Sequence, residues 1–276
     1  MKKNNTFLLL SLLCLFHLTI SAQKVSSYEL KQYLSDGLSI TIDKTYDTYD
    51  IKTLIRSGRD RVTVIAKGFD SFDVKAFLKE GSKIIVDKTF DTYDVKAFAK
   101  EGRSRVSVIA IGFDSYDVKA IIKEGAKILA GKEFDSYDIK SFIREGKDLV
   151  TIITTGFDSY DVKSFMSEGG KVIVTNSFDS YDIKSFLSAN SFLVTVMGAG
   201  FDIYDLRAFA NYNSKIVLDN SLDKYDIKSL LNLKSQIFIF GRGFDKYDLK
   251  GLSNSGAIIF LPSGYLDSFD IKYIFT

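Results

Sequence analysis

A seven-residue block of the form FDSYDIK recurs along this chain and constrains its architecture more tightly than any other feature. It opens at Tyr46, Phe69, Phe90, Phe113, Phe134, Phe157, Phe178, Phe201, Leu222, Phe244 and Leu266, and a degenerate copy, SSYELKQYL, begins at Ser26. Successive starts are 23, 21, 23, 21, 23, 21, 23, 21, 22 and 22 residues apart, so the duplicated unit is a 44-residue pair. Self-similarity at such a period is the signature of a repeat architecture, in which one supersecondary unit buries its apolar face only against its neighbours.

Each block reads as a helix start. In Phe69-Asp70-Ser71-Phe72-Asp73-Val74, Asp70 fits an N-cap that accepts from the free amides of the first turn. Asp73 stands at the capping-box position, and Phe69 and Val74 stand at the two staple positions. Both carboxylates lie at the positive end of the helix dipole. The helix runs to Gly81, a residue suited to a left-handed cap, and Gly58, Gly102, Gly125, Gly146 and Gly169 repeat that stop.

A β-branched run follows each stop. Long units carry Val62 to Ala66, Val106 to Ala110, Val150 to Thr154 and Val194 to Met197; short units carry Ile84 to Val86, Ile128 to Ala130, Val172 to Val174 and Ile216 to Leu218. Such runs predict strands, and strand-helix-strand repetition predicts parallel strands with right-handed crossovers. The expected fold is an α/β right-handed solenoid of about 11 strand-helix coils with a parallel sheet. Strands stack about 4.8 Å apart and helices about 8–10 Å, so the helical side must fan outward. In layout the chain resembles the leucine-rich-repeat horseshoes. The family's L-x-x-L-x-L-x-x-N signature is not met: after Ile84-Ile85-Val86 the chain continues Asp87-Lys88-Thr89-Phe90, without an Asn ladder.

The first residues bear on compartment. Lys2 and Lys3 precede an apolar run from Phe7 to Ile20 and the small pair Ser21-Ala22, the three-part layout of a secretory signal. The expected organisation is a signal peptide over residues 1–22 and a single repeat domain over 23–276, secreted, periplasmic or at the cell surface. The one cysteine, Cys14, and the one histidine, His17, fall inside the leader. Residues 23–276 therefore hold no thiol or imidazole, which excludes Ser-His-Asp and Cys-His catalysis and Cys/His metal sites there. Without Lys2 and Lys3 the 37 basic residues become 35, against 35 acidic ones, a balance that argues against nucleic acid as a partner.

Three sets of repeated side chains are candidates for function. Stacked carboxylates (Asp70 and Asp73, Asp91 and Asp94, and their counterparts) could hold calcium, but capping explains both positions, and no metal or other cofactor is expected. The aromatic column of Tyr49, Phe72, Tyr93, Tyr116 and onward to Phe269 could form a sugar-binding strip, although packing against the next coil is the expectation. The strand face turned away from the helices holds Thr63, Ser107, Thr151 and Thr195, beside Ile65, Ile109, Ile153 and Met197 and the short-strand Ile85, Leu129, Ile173 and Val217. A free concave face should be mostly polar, so this apolar stripe predicts either closure or a bound partner.

No unique cluster departs from the repeat except near the C-terminus, around Asn211, Asn232 and Ala257 to Tyr265. The expectation is an exported, non-catalytic binding or scaffold module for a protein or glycan at the cell envelope, with that strand stripe as the binding surface. Self-assembly as a surface protein is the alternative, and a hydrolase site in the degenerate C-terminal repeats the third reading.

Overall fold

Every FDSYDIK-type block from Tyr46 to Phe244 opens a helix capped by its first aspartate. Asp47, Asp70, Asp91 and their counterparts through Asp245 each accept from the backbone N–H three residues on, at 2.7–2.9 Å. The computed structural model describes residues 25–261, 266 and 268–275. The segment read as a leader, residues 1–22, and the stretch holding Pro262 lie outside these residues.

The fold is α/β, with a parallel sheet of 11 strands in sequence order, alternating with helices. The chain divides into two compact units, residues 1–151 and 152–276. The first holds α1 (Ser27–Ser35), β1 (Ile40–Ile42), α2 (Thr48–Gly58), β2 (Val62–Ile65), α3 (Ser71–Lys79), β3 (Lys83–Val86), α4 (Thr92–Gly102), β4 (Val106–Ile109), α5 (Ser115–Lys123), β5 (Lys127–Ala130) and α6 (Ser136–Gly146). Strand β6 (Val150–Ile153) straddles the division. The second holds α7 (Ser159–Ser167), β7 (Lys171–Val174), α8 (Ser180–Asn190), β8 (Val194–Met197), α9 (Ile203–Ala210), β9 (Lys215–Leu218), α10 (Lys224–Leu231), β10 (Gln236–Phe240), α11 (Lys246–Asn254), β11 (Ile258–Phe260) and α12 (Ser268–Phe275).

The core lies between helices and sheet. Val74, Phe77 and Leu78 of α3 are fully buried, as are Val62 and Val64 of β2, the i, i+3, i+4 stripe meeting alternate strand positions. Phe69 meets Phe77 edge-on at 5.2 Å, and five further pairs repeat this at 5.0–5.3 Å. Edge-to-face geometry sets the positive ring edge on the negative ring face.

The strand register departs from the expected horseshoe. Ile65 pairs with Ile85 and Ile85 with Ser107, steps of 20 and 22 residues, whereas Phe69, Phe90 and Phe113 are 21 and 23 apart. Strands β3 and β4 are thus each displaced by one residue from the repeat-equivalent position. The second unit does the same: Ile173 pairs with Thr195 and Thr195 with Lys215, steps of 22 and 20, against 23 and 21 between Phe178, Phe201 and Leu222. Identical solenoid coils that simply stack, as in the leucine-rich-repeat layout, would align equivalent positions with no displacement. One residue per strand is instead the stagger of the (β/α)8 barrel sheet, whose shear equals its strand number. The solenoid expectation is corrected on this point, while the parallel α/β sheet stands.

The glycine stops also divide into two kinds. Gly81, Gly125 and Gly169 in the short units have φ of +103°, +93° and +92°, the left-handed caps expected. Gly58, Gly102 and Gly146 do not: their φ values are −116°, −97° and −112°. A Cβ at Gly58 would lie 2.5 Å from Leu34 Cδ2 and 2.9 Å from Val62 Cγ2. There glycine serves close approach of helix to neighbour, and the chain reverses one residue later.

Candidate functional site

The strand stripe is sealed. Thr63, Ile85, Ser107, Leu129 and Thr151 of the first unit are 2–6% exposed, and Ile173, Thr195 and Val217 of the second are 1–2% exposed. Ile65, Ile109, Ile153 and Met197, at the last position of each long strand, are half-buried. Staggering sets these side chains in slanted rows, such as Ile65, Ile85, Ser107 and Lys127, and inward rows of a staggered sheet pack in layers. The proposed binding positions are therefore brought together, but as interior. Such a row meets a lysine at the start of a short strand, Lys127 in the first unit. In the second unit that lysine is Lys215, whose pKa is lowered by burial and then by the charge of Lys171. The Ser107 hydroxyl is buried and has no hydrogen-bond partner among the described residues.

The two carboxylate columns are structural devices. The first caps helices. The second ties one coil to the next: Thr48 Oγ1 donates to Asp73 Oδ2 at 3.1 Å, Thr92 Oγ1 to Asp117 Oδ2 at 2.6 Å, and Lys224 Nζ to Asp248 Oδ1 at 2.6 Å. Among the described residues no cluster of acidic, Cys or His side chains is arranged to hold a metal ion.

The aromatic column is the feature that departs most from expectation. Instead of packing against the next coil, its rings stand in solvent. In the first unit Tyr28, Tyr49, Phe72, Tyr93, Tyr116 and Tyr137 are 76–82% exposed; in the second Tyr160, Tyr181, Tyr204, Tyr225, Tyr247 and Phe269 are 64–85% exposed. Every one occupies the second position of its helix. That position is two residues before the first buried residue of the apolar stripe, hence roughly on the opposite side of a helix turning about 100° per residue. Successive helices pack side by side, with axes about 8–10 Å apart, so each unit presents six rings in sequence order. Each ring is followed by a carboxylate and, except Tyr204 after Ile203, preceded by a hydroxyl or ammonium residue. Tyr247 is the least open because Tyr273 meets it edge-on at 5.6 Å.

A second constellation lies at the other end of the helices, in the first unit. A cleft of about 450 Å³ is lined by Arg56, Arg59, Lys79, Glu80 and Gly81. Arg56 Nε and Nη2 both donate to Glu80 Oε1, at 3.2 and 2.8 Å. That hydrogen bond, with the Arg56 charge, holds the Glu80 carboxyl below its ordinary pKa against the opposing effect of burial. Neither Arg59 nor Gly58's φ was legible as a site feature, since nothing in the residue types marks arginine for a left-handed turn.

No protein-family model matches the chain, and no curated protein matches it in sequence. Solved structures do match in part. One named as a lyase/mutase from Burkholderia cenocepacia is 12% identical and covers 69% of this chain and 80% of its own, at a TM-score of 0.34. One named as a fructose-1,6-biphosphate aldolase from Coccidioides immitis is 8% identical over 86% and 77%, at 0.31. Tryptophan synthase from M. tuberculosis is 12% identical over 79% and 89%, at 0.31.

The expectation of a non-catalytic exported scaffold, and with it the expectation that the chain is no enzyme, is corrected here. The matched structures bear enzyme names, and the stripe that motivated a scaffold is interior. At these TM-scores and identities no reaction, substrate or residue role passes from them to this chain.

Proposed function

We propose that the chain engages a neutral, linear polysaccharide along its exposed aromatic ladder. The observation that supports this reading is the six outward rings that each unit presents, one per helix, each 64–85% exposed. Monomeric proteins rarely leave large apolar groups exposed in a contiguous array unless something binds there. A tyrosine offers an apolar ring face and a polar hydroxyl together, matching the CH-rich faces and hydroxyl rims of a sugar chain.

The regularity of the ladder selects a partner that itself repeats. A polysaccharide and a second copy of this chain both qualify, and charge separates them. Two ladders laid face to face would bring matching carboxylate columns together, at a cost in like-charge contact. The same carboxylates oppose a polyanion such as nucleic acid. A neutral polymer meets neither penalty.

The test is affinity electrophoresis of the purified protein through gels cast with neutral polysaccharides of several linkages, beside gels cast with polyanionic ones. Retardation by at least one neutral polymer is expected, with the polyanions inert. Turnover is read in parallel as new reducing ends in a solution of the retarding polymer. Equal mobility in every gel removes the reading.

A further inference from the structure

We propose that the cleft between the C-terminal ends of α2 and α3 binds a multivalent oxyanion, a carboxylate or phosphate group held by Arg59 with Lys79. The first observation is backbone strain. Arg59 has φ +47° and ψ −115°, and Arg103, 44 residues on, has +47° and −128°; Lys147, a further 44 on, has +44° and −116°. This is a region that favours glycine, and a non-glycine residue held there is strained.

The turn itself does not demand the strain. At the corresponding step of the second unit, Ser191 takes an ordinary φ of −62° after Asn190 at −165°. The relaxed route exists within this same repeat, yet a basic residue is held on the strained one three times in the first unit. Strain retained where a relaxed alternative is available points to a role for what the strained residue presents.

The second observation is the cleft, of about 450 Å³, which opens beside the first strained residue. Its single carboxylate, Glu80, is engaged by Arg56 through both Nε and Nη2. The side chains of Arg59 and Lys79 have no hydrogen-bond or ion-pair partner among the described residues. Two cations thus face the cleft beyond those neutralised. The third side is left open by Gly81, where a Cβ would lie 3.7 Å from that of Arg59. Arg103, Lys123, Glu124 and Gly125 repeat the arrangement 44 residues later, and there the corresponding approach is 3.5 Å. A guanidinium fork and an ammonium converging on one opening suit an oxyanion with several acceptor oxygens. The same two groups would otherwise only complement the negative helix ends, which needs no strain.

The test pairs strain with binding. Thermal melts and calorimetric titrations are run on the full chain, on Arg59→Gly and on Lys79→Gln, with inorganic phosphate, with citrate, and with sodium chloride at matched ionic strength. In the wild-type chain, phosphate or citrate raises the melting midpoint beyond chloride; phosphate alone identifies a phosphate ester as the ligand class, citrate alone a polycarboxylate. Arg59→Gly melts higher than wild type without anion, because glycine relieves the strain, and binds the anion about tenfold more weakly. Lys79→Gln keeps the wild-type midpoint and loses affinity, so the idea stays open to refutation even if the glycine variant fails to fold. Anions that act no better than chloride, or variants that bind as the wild type does, overturn it. So does a folded Arg59→Gly that is less stable than wild type.

Discussion

Truncating the aromatic ladder separates a structural column from a binding one, and the two readings differ in magnitude. Tyr116 is 82% exposed and Phe142, in the neighbouring coil, is fully buried. A buried aromatic side chain removes about 150–250 Å² from water, so the fifth or so that Tyr116 buries is about 40 Å². At about 25 cal/mol per Å² this is worth about 1 kcal/mol, an upper bound because the unfolded chain already covers part of it. Alanine's better helix propensity offsets a few tenths of that. Tyr116→Ala is therefore expected to lower the melting midpoint by no more than about 2–4 °C. Phe142→Ala removes an edge-to-face partner of Phe134 at 5.0 Å and leaves a cavity, costing about 3–5 kcal/mol. Circular-dichroism melts of the two variants check the contrast. The triple variant Tyr93→Ala, Tyr116→Ala, Tyr137→Ala should remain folded while losing polymer affinity. At about 1 kcal/mol per lost ring the loss is about 100-fold. A midpoint drop for Tyr116→Ala as large as that for Phe142→Ala would show the ring to be structural. Undiminished retardation of a folded triple variant would move the polymer elsewhere.

Asp114→Ala, which removes the carboxylate accepting from Asp117 N at 2.7 Å, should cost about 0.5–2 kcal/mol in a thermal melt. Asp114→Ser should restore most of it, and EDTA should leave the wild-type midpoint unmoved. Gly102→Ala should destabilise despite alanine's helix preference, by about 1–3 kcal/mol, because its Cβ would sit 2.6 Å from both Leu78 Cδ2 and Val106 Cγ2; a stabilised variant would contradict the packing. The depressed pKa of Glu80 favours the folded state above the ordinary carboxylate value, and that contribution fades as pH falls through the lowered one. Because Arg56 and Glu80 are exposed at the surface, the effect should be small and weakened by salt. Glu80→Gln should flatten that part of the midpoint-against-pH curve, and an identical curve would refute the assignment.

Helix starts and strand runs were legible because each rests on local chemistry. Asp70 caps, Val74 and Phe77 fall on one helical stripe, and β-branched residues follow the turn; none of this needs knowledge of a neighbour. The outward aromatic column was equally legible in principle. Phe72 lies two residues before Val74, on the far side of the helix from the core, and only the habit of burying aromatics hid it. The sealed stripe was not legible, since whether Thr63 and Ile85 meet solvent depends on how strands are offset. Arg59 was least legible of all. Its residue type argues against positive φ, and only the structure shows that Gly58, the better candidate, is occupied with close packing against Leu34.

The one-residue stagger also explains why the repeat is a pair. Side chains alternate between the two faces of a strand, so displacement by one residue moves every repeat-equivalent position to the other face. Val64, five residues before Phe69, points to the helices; its lateral partner Ile84 does so from six residues before Phe90. A single 22-residue unit copied without change would place apolar residues outward in one strand and inward in the next. Two unit types with opposite parity resolve the conflict, and 44 residues is the shortest period that restores both face and offset. Barrel sheets with the same stagger meet the same condition, which is why each of their interior layers draws side chains from alternate strands. In this chain Lys127 and Lys215, the first residues of two short strands, fall in such rows. The pairing of two unit types therefore keeps apolar side chains on the helix side of every such strand although the strands are offset.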